Sequence, residues 1–406
     1  SNSQFQVDCD DVSHSLKIKR ALAGLVGVSL LLFLAFKLPD NTSNEIDKAS
    51  ELIFTDENGR PSYGAVSTTH YLATQAGIDV LKSGGNAADA AAVIQFMLGV
   101  VQPQSTGIGG GCFIMFYNRS ENKVTAIDGR EEAPSAFHPN AFCANPDCND
   151  GPCNCSGRVP EFEDLVAGGH AVGVPGVVRA MELLLRDHGT MSMAQTLQPA
   201  IHRARAGWPM YWHMQFRINT SIHRLGMFEA GARLYLNEDR SGPKHALGDR
   251  VTNEELAGTL EALAREGPDL LYTGSLAREI VAAARQARNP RTGKRGLLSL
   301  ADMAAYRAVR RAPVESSFLG YRVVGMPPPS SGGATLALIL GLLQELGLEG
   351  LRHNSADYLA RLADAQNLAW PDRGAFLADA DFEPVPLAAM TSPAYAAARA
   401  APYKTN

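Results

Sequence analysis

Apolar positions recur at helical spacing over residues 70–83 (HYLATQAGIDVLKS), which predicts a helix. Gly84 and Gly85 follow it and supply the left-handed stop that such a helix needs. Asn86 is then placed to cap a second helix, which runs through ADAAAVIQFMLGVV to just before Pro103. Its small residues suit close packing against a sheet. Ahead of the first helix, residues 63–68 (YGAVST) read as a short strand. A glycine-rich bend, residues 107–111, leads into CFIMFY (112–117) and KVTAID (123–128), two alternating runs joined by a polar turn, hence a hairpin.

Residues 168–176 (GGHAVGVPG) form a turn-rich approach to a helix over 177–187, and helical periodicity dominates from about 193 to 288. Residues 321–326 (YRVVGM) read as a strand closed by PPPSSGG, and an apolar helix follows over 334–346. The end of the chain reads as an Ala-rich helix over 392–401 and an extended tail, APYKTN. Helices interrupted by a hairpin predict a mixed α/β sandwich rather than a doubly wound sheet.

One stretch stands apart. Residues 21–36 (ALAGLVGVSLLLFLAF) carry no charge, with Lys17, Lys19 and Arg20 before them and Lys37 after. At about 1.5 Å per residue the run is short for a hydrocarbon core of roughly 30 Å, and snorkelling Lys and Arg extend its reach. The reading is a cytoplasmic tail (1–20), a signal anchor (21–38), a polar stalk (39–61) and a main domain (62–406). The protein is then single-pass and type II, with the main domain extracellular or lumenal. The alternative is a cleaved secretory signal and a secreted or periplasmic product. Asp8, Asp10 and Asp11 and the lack of a small-x-small site after Phe36 speak against cleavage.

Composition narrows the classes. Hydrophobic residues make up 45% and charged residues 19%, which fits a globular chain and excludes a disordered one. A net charge of −5 offers no basic stripe, so nucleic acid is not an expected partner. Cys143, Cys148, Cys153 and Cys155 crowd one segment, where two disulfides would close a small loop with pairing left open. A zinc knuckle is the alternative, and the spacing is not a usual zinc pattern, so no metal is expected. Asn41, Asn118, Asn154 and Asn219 open N-x-[ST] sequons usable in a lumenal domain.

Candidate chemistry is sparse. Residues 107–111 lack the Lys-Ser/Thr of a phosphate loop and read instead as a tight turn where only glycine fits. Arg130, in DGREEAP, is either a solvated or ion-paired surface residue, with Glu131 and Glu132 beside it as partners, or a two-pronged clamp for a carboxylate. Ser330 and Ser331 have no nucleophile elbow around them. Thr68, Thr69 and His70 look like an activated threonine but lie where a strand passes into a helix. Asp372 and Arg373 read as an internal ion pair holding a helix end or as solvent-facing charge. No catalytic set emerges from the residues alone.

The segments AVSTTHYLATQAGIDVLKSGGNAADAAA, VQPQSTGIGGGCFIMFYN, AIDGREEAPSAF, GVPGVV, YRVVGMPPPSSGG and WPDRGAFLADADF occur in this order. Together they are similar to the large subunit of the γ-glutamyltransferases, over about residues 64–406. The resemblance implies an N-terminal-nucleophile hydrolase fold, a four-layer αββα sandwich incomplete without a small subunit. It implies a precursor that cuts itself before a Thr, expected after Asn406, so no catalytic residue is expected in this chain. That Thr would attack glutathione or another γ-glutamyl donor and pass the glutamyl group to water or to an amino-acid or dipeptide acceptor, with no cofactor. Arg130 matches the residue that grips the donor's α-carboxylate. The N-terminal anchor resembles the animal-type, membrane-anchored form, whereas the segment from Cys143 to Cys155 departs from the family pattern. A non-catalytic membrane glycoprotein with this fold is the alternative, and a related acylase is a third reading that Arg130 disfavours.

Overall fold

The computed structural model of the chain describes residues 54–55, 61–62, 64–138, 141 and 165–404. The run 21–36, Asn41, Asn154 and the four clustered cysteines Cys143, Cys148, Cys153 and Cys155 lie outside the described residues. Among the described residues no helix is long and apolar enough to cross a membrane. The chain divides into two compact units, Ser1–Ser62 and Tyr63–Asn406. In the first, strand β1 (Phe54–Thr55) pairs antiparallel with β2 (Pro61–Ser62).

The second unit opens on two capped helices. Helix α1 (Tyr71–Lys82) begins where the His70 ring nitrogen Nδ1 accepts the Leu72 N–H at 3.2 Å. Helix α2 (Ala87–Val101) begins at Asn86, whose side chain accepts from Ala88 and Asp89, while Asp89 answers by accepting the Asn86 N–H. Both polar partners of this capping box are thereby satisfied. Asp89 is fully buried and also accepts from Thr190 N–H and Oγ1 (2.8 and 2.7 Å) and from Met191 N–H at 2.9 Å. One carboxylate thus fixes the start of α2 against a loop a hundred residues on.

The hairpin follows, β3 (Cys112–Asn118) with β4 (Lys123–Gly129), in full antiparallel register from Cys112 opposite Gly129 to Asn118 opposite Lys123. Helices α3 (Val177–His188), α4 (Met193–Ala206), α5 (Glu254–Glu266) and α6 (Ser275–Gln286) complete a helical body. Its core gathers Phe96, Leu184, Leu197, Leu260 and Leu263. Strand β5 (Val309–Arg311) then returns to pair antiparallel with β4, giving the order β3-β4-β5.

A second core lies under strands β6 (Val314–Phe318) and β7 (Tyr321–Gly325), which pair with each other. Helices α7 (Gly332–Leu346), α8 (Ala356–Phe376) and α9 (Pro393–Ala400) enclose Leu338, Leu342, Leu343, Leu368 and Ala400 there. The architecture is mixed α/β with small sheets whose outer edges are unpaired among the described residues.

Two predicted elements differ. Residues 64–68 alternate between partly buried and exposed, as a half-buried strand does, but no ladder forms with any described residue. Alternation reports which way side chains face, whereas a strand also needs a neighbour. The tail is not extended. Ala401–Tyr403 form a 3-10 turn closed by Lys404 N–H on the Ala401 carbonyl, and the Lys404 ammonium pairs with Glu345.

Against burial, which by itself would raise it, the hydrogen bonds from Asn86, Met191 and Thr190 hold the Asp89 carboxyl below its usual value of 3.8. Its contribution to stability is whole above that value and drains away as pH falls through the lower folded value. Replacing Asp89 with Ala orphans several buried N–H donors and is expected to destabilise the fold by about 3 kcal/mol. Urea unfolding of parent and variant at neutral pH checks this, and an unchanged midpoint would refute it.

Candidate functional site

Arg130 stands at the end of β4, just past Gly129, with its side chain exposed. Its backbone is held on both sides. The Arg130 N–H donates to Asp128 Oδ1 at 2.9 Å, and the Tyr306 hydroxyl donates to the Arg130 carbonyl at 2.8 Å. Tyr306 is 2% exposed and stacks on Tyr272, ring centroids 5.8 Å apart, whose own hydroxyl donates to the Pro175 carbonyl at 2.8 Å. The guanidinium itself rests near the face of Phe113, 5.9 Å from the ring centroid. Neither Glu131 nor Glu132 pairs with it, so the surface ion pair the sequence allowed is not formed, and among the described residues no carboxylate neutralises it. The cause is geometric. The Glu131 carboxylate turns back over Gly111, where a Cβ would stand 2.6 Å from its Oε2.

The glycines make this approach possible. The Gly110 carbonyl accepts the N–H groups of both Gly176 and Val177, at 2.9 and 3.0 Å. The 107–111 bend is therefore docked on the start of α3 as a backbone turn, as its composition predicts, rather than as a phosphate cradle. Any side chain at Gly176 would collide with the Gly129 carbonyl and the Tyr306 hydroxyl. The GVPG segment is thus a wedge that fits only as glycine beside the Arg130 strand.

Charges crowd the same edge. Arg311 Nε donates to Asp128 Oδ2 at 2.7 Å, and its two terminal nitrogens grip Asp381 at 2.9 and 2.5 Å. Burial raises the Glu132 carboxyl, helped by the nearby Asp128, Asp379 and Asp381 and opposed by Arg311. Ser135, five residues past Arg130, gives its N–H to Asp302 Oδ1 at 3.0 Å. Burial alone would raise Asp302, but the bonds from Ser135 and Ser299 bring it down to about 2. Burial, then the Glu131 and Asp128 carboxylates, push the Cys112 thiol up to about 12.

The other candidates are structural. His70 is buried, and burial together with the Arg203 charge lowers it to about 4. Its Nδ1 is taken by the helix cap, and Thr68 Oγ1 donates to the His70 carbonyl at 2.8 Å, not to the ring. Ser330 Oγ accepts the Gly332 N–H, and Ser331 Oγ accepts from Arg373 Nε, both at 3.3 Å. Asp372 pairs with Arg399 at 2.9 Å rather than with Arg373, whose guanidinium lies over Trp370. Consecutive helical residues point some 100° apart, so those neighbours face different partners. Asn118 ends β3 and accepts from Ser120 through its amide oxygen, while Asn219 ends the helix Trp212–Asn219 exposed.

Tyr306, Arg311 and Asp302, which build the site around Arg130, come from a segment about 170–180 residues on. Nothing local marks them. Only Asp128, two residues before Arg130 in DGR, carries a short-range signal, since Asp commonly caps the peptide two residues on.

The family model described as Gamma-glutamyltranspeptidase matches residues 73–406. The chain is 34% identical over 344 residues to a glutathione hydrolase proenzyme of Escherichia coli (strain K12), covering 83% of this chain and 54% of that protein. It is 32% identical over 343 residues to an acylase ACY 1 proenzyme of Pseudomonas sp. (strain SE83), covering 84% of this chain and 58% of that protein. In three dimensions it is similar to the gamma-glutamyltranspeptidase of Helicobacter pylori, with a TM-score of 0.76 and 29% identity, over 84% of this chain and 92% of that one. The chain spans about half the length of the curated relatives it matches.

A thiol raised from 9.0 to about 12 holds about a thousandfold less thiolate than an ordinary one. Cys112 is therefore expected to resist iodoacetamide at pH 8 in the native protein and to react on unfolding. Peptide mass spectrometry reads this, and rapid native labelling would contradict the environment described.

Proposed function

The chain belongs to the gamma-glutamyltranspeptidase family, and from that premise we propose that it is the large-subunit portion of a γ-glutamyl hydrolase and transferase. Its donor is glutathione or a glutathione conjugate. The Ntn-hydrolase fold of its structural neighbours supports this, as does the proenzyme character of its named relatives. In the proposed reaction the nucleophile is an N-terminal Thr released by self-cleavage of the precursor, outside this chain. Its hydroxyl attacks the donor's γ-carbonyl while its free amine takes the proton. The γ-amide bond then breaks, the amine product leaves with that proton, and a γ-glutamyl ester remains. Water, or the amine of an amino acid or dipeptide, releases the glutamyl group.

The observation that carries this reading is Arg130. A planar, always-charged fork stands exposed, uncompensated among the described residues, on a peptide held at both its N–H and its C=O. Such a fork suits the α-carboxylate of a γ-glutamyl donor. Similarity to an acylase proenzyme favours, as a second reading, removal of another acyl group. A donor without an α-carboxylate would leave Arg130 unused, so the γ-glutamyl reading is preferred.

The same proposal makes the chain the animal-type form, held on the extracellular or lumenal face by a signal anchor over residues 21–38. Support comes from the uncharged run 21–36 between Lys17, Lys19 and Arg20 on one side and Lys37 on the other. The four clustered cysteines and the sequons at Asn41, Asn118, Asn154 and Asn219 suit that compartment.

Arg130→Ala in the full precursor is expected to leave self-cleavage intact. It should raise the donor KM about ten- to a hundredfold, since a charge-assisted hydrogen bond contributes about 1.5–3 kcal/mol. A donor KM at the parent value would sink the assignment. Residues 62–406 expressed alone are expected to aggregate or to melt without a cooperative transition, because the edges of β3, β6 and β7 lack neighbours among the described residues. A sharp, reversible melt of that fragment would count against a small subunit completing the sheets.

A further inference from the structure

Asp128 is 6% exposed, and both of its oxygens are occupied: Oδ1 by the Arg130 N–H and Oδ2 by Arg311 Nε. Arg311 sits opposite Ala126 in the β4–β5 ladder, which puts it on the same face as Asp128, one diagonal step away. Its side chain is 15% exposed, and its remaining nitrogens hold Asp381, which is half exposed in the loop after α8. Its neighbour Arg310 faces the other way and clamps Asp187 near the end of α3, both bonds at 2.6 Å, so β5 is pinned from both faces.

We infer that Arg311 is a positioning residue for donor binding: it neutralises Asp128 so that Asp128 orients the Arg130 peptide while the Arg130 guanidinium stays available for a carboxylate. This rests on the reading of Arg130 as the donor clamp. The electrostatics run in one direction. Asp128, Glu132, Asp379 and Asp381 gather at this edge, with Arg311 the cation among them. Without Arg311 a buried carboxylate is left uncompensated, which is strongly unfavourable. The cation best placed to answer it is Arg130, two residues on along the same chain. An Arg130 drawn into that pair no longer grips substrate, and the acidic edge repels an incoming carboxylate. Arg311 also ties the 377–386 loop to the clamp strand through Asp381, so the loop's seating and the clamp's geometry are set by one guanidinium.

The test uses the full precursor, with a γ-glutamyl anilide donor and four variants. Arg311→Met is expected to raise the donor KM about tenfold or more while kcat stays within about twofold, the signature of lost uniform binding. Arg311→Lys restores the charge but not the fork, and should return the KM to within about threefold of the parent. Asp381→Asn, which leaves the Asp128 pair untouched, should raise it by about two- to threefold. Self-cleavage and the melting midpoint of Arg311→Lys and Asp381→Asn should match the parent, so Asp381→Asn decides the matter if Arg311→Met does not fold, and a parental KM in it then overturns the inference. A donor KM at the parent value in Arg311→Met and Asp381→Asn, beside a raised KM in Arg130→Ala, overturns this inference and leaves the clamp standing. A lowered kcat at unchanged KM in Arg311→Met overturns it too. A parental KM in Arg130→Ala brings down the clamp reading itself.

Discussion

The geometry around the candidate site depends on one buried carboxylate, Asp128, shared between a backbone amide and a guanidinium. Ion pairs of this kind contribute little net stability, because desolvating two charges offsets most of their attraction. Their value is directional. A carboxylate with both oxygens engaged cannot rotate, so the peptide it holds cannot rotate either. With Tyr306 on the opposite side of the same residue, the Arg130 backbone has one orientation. The flexible side chain then projects from a fixed base, which reduces the entropy lost when it closes on a ligand.

That base requires close packing of main chain against main chain. Gly129 touches Ala180, Gly111 lies under the Glu131 carboxylate, and Gly176 abuts both the Gly129 carbonyl and the Tyr306 hydroxyl. Each contact excludes a Cβ. The bend at 107–111 and the wedge at 173–176 are two halves of one interface, joined by the Gly110 carbonyl. Cys112, the first residue after the bend, is partly buried beside the Glu131 and Asp128 carboxylates, and burial first and those charges second push its thiol up.

Local features of this fold could be read from the chain because their physics is local. Asn86 caps α2 as its side chain and position require, and the hairpin register follows from alternation and the polar turn. The helix over 177–188 and the apolar helix α7 appear where periodicity puts them. The unmatched stretch at 64–68 shows the limit: alternation was legible, and the identity of its neighbour was not. The same limit applies to the site. Arg130 was legible through family motifs, and Asp128 sits beside it in DGR. Tyr306 and Arg311 were not, since their partners are 176 and 183 residues away and no periodicity links them.

The polar side chains that the sequence puts forward as nucleophiles are committed to structure. His70, the one imidazole beside a pair of threonines, has its Nδ1 in a helix cap and lies between Tyr71 and Tyr211. Burial and Arg203 keep it neutral near pH 7, and with Nδ1 accepting the Leu72 N–H its one proton sits on Nε2, so neither ring nitrogen is a free base. The hydroxyls of Thr68 and Ser331 are likewise engaged in local bonds that build the backbone. Arg130 differs from all of them. It is presented with care by buried groups and is itself uncommitted among those residues. Among the described residues, the hydroxyls of Thr68 and Ser331 and the His70 ring serve the backbone, whereas Arg130 projects from a fixed base, an arrangement suited to recognition. In the proposed enzyme this chain's share of the chemistry is to bring a carboxylate to a defined place, at Arg130.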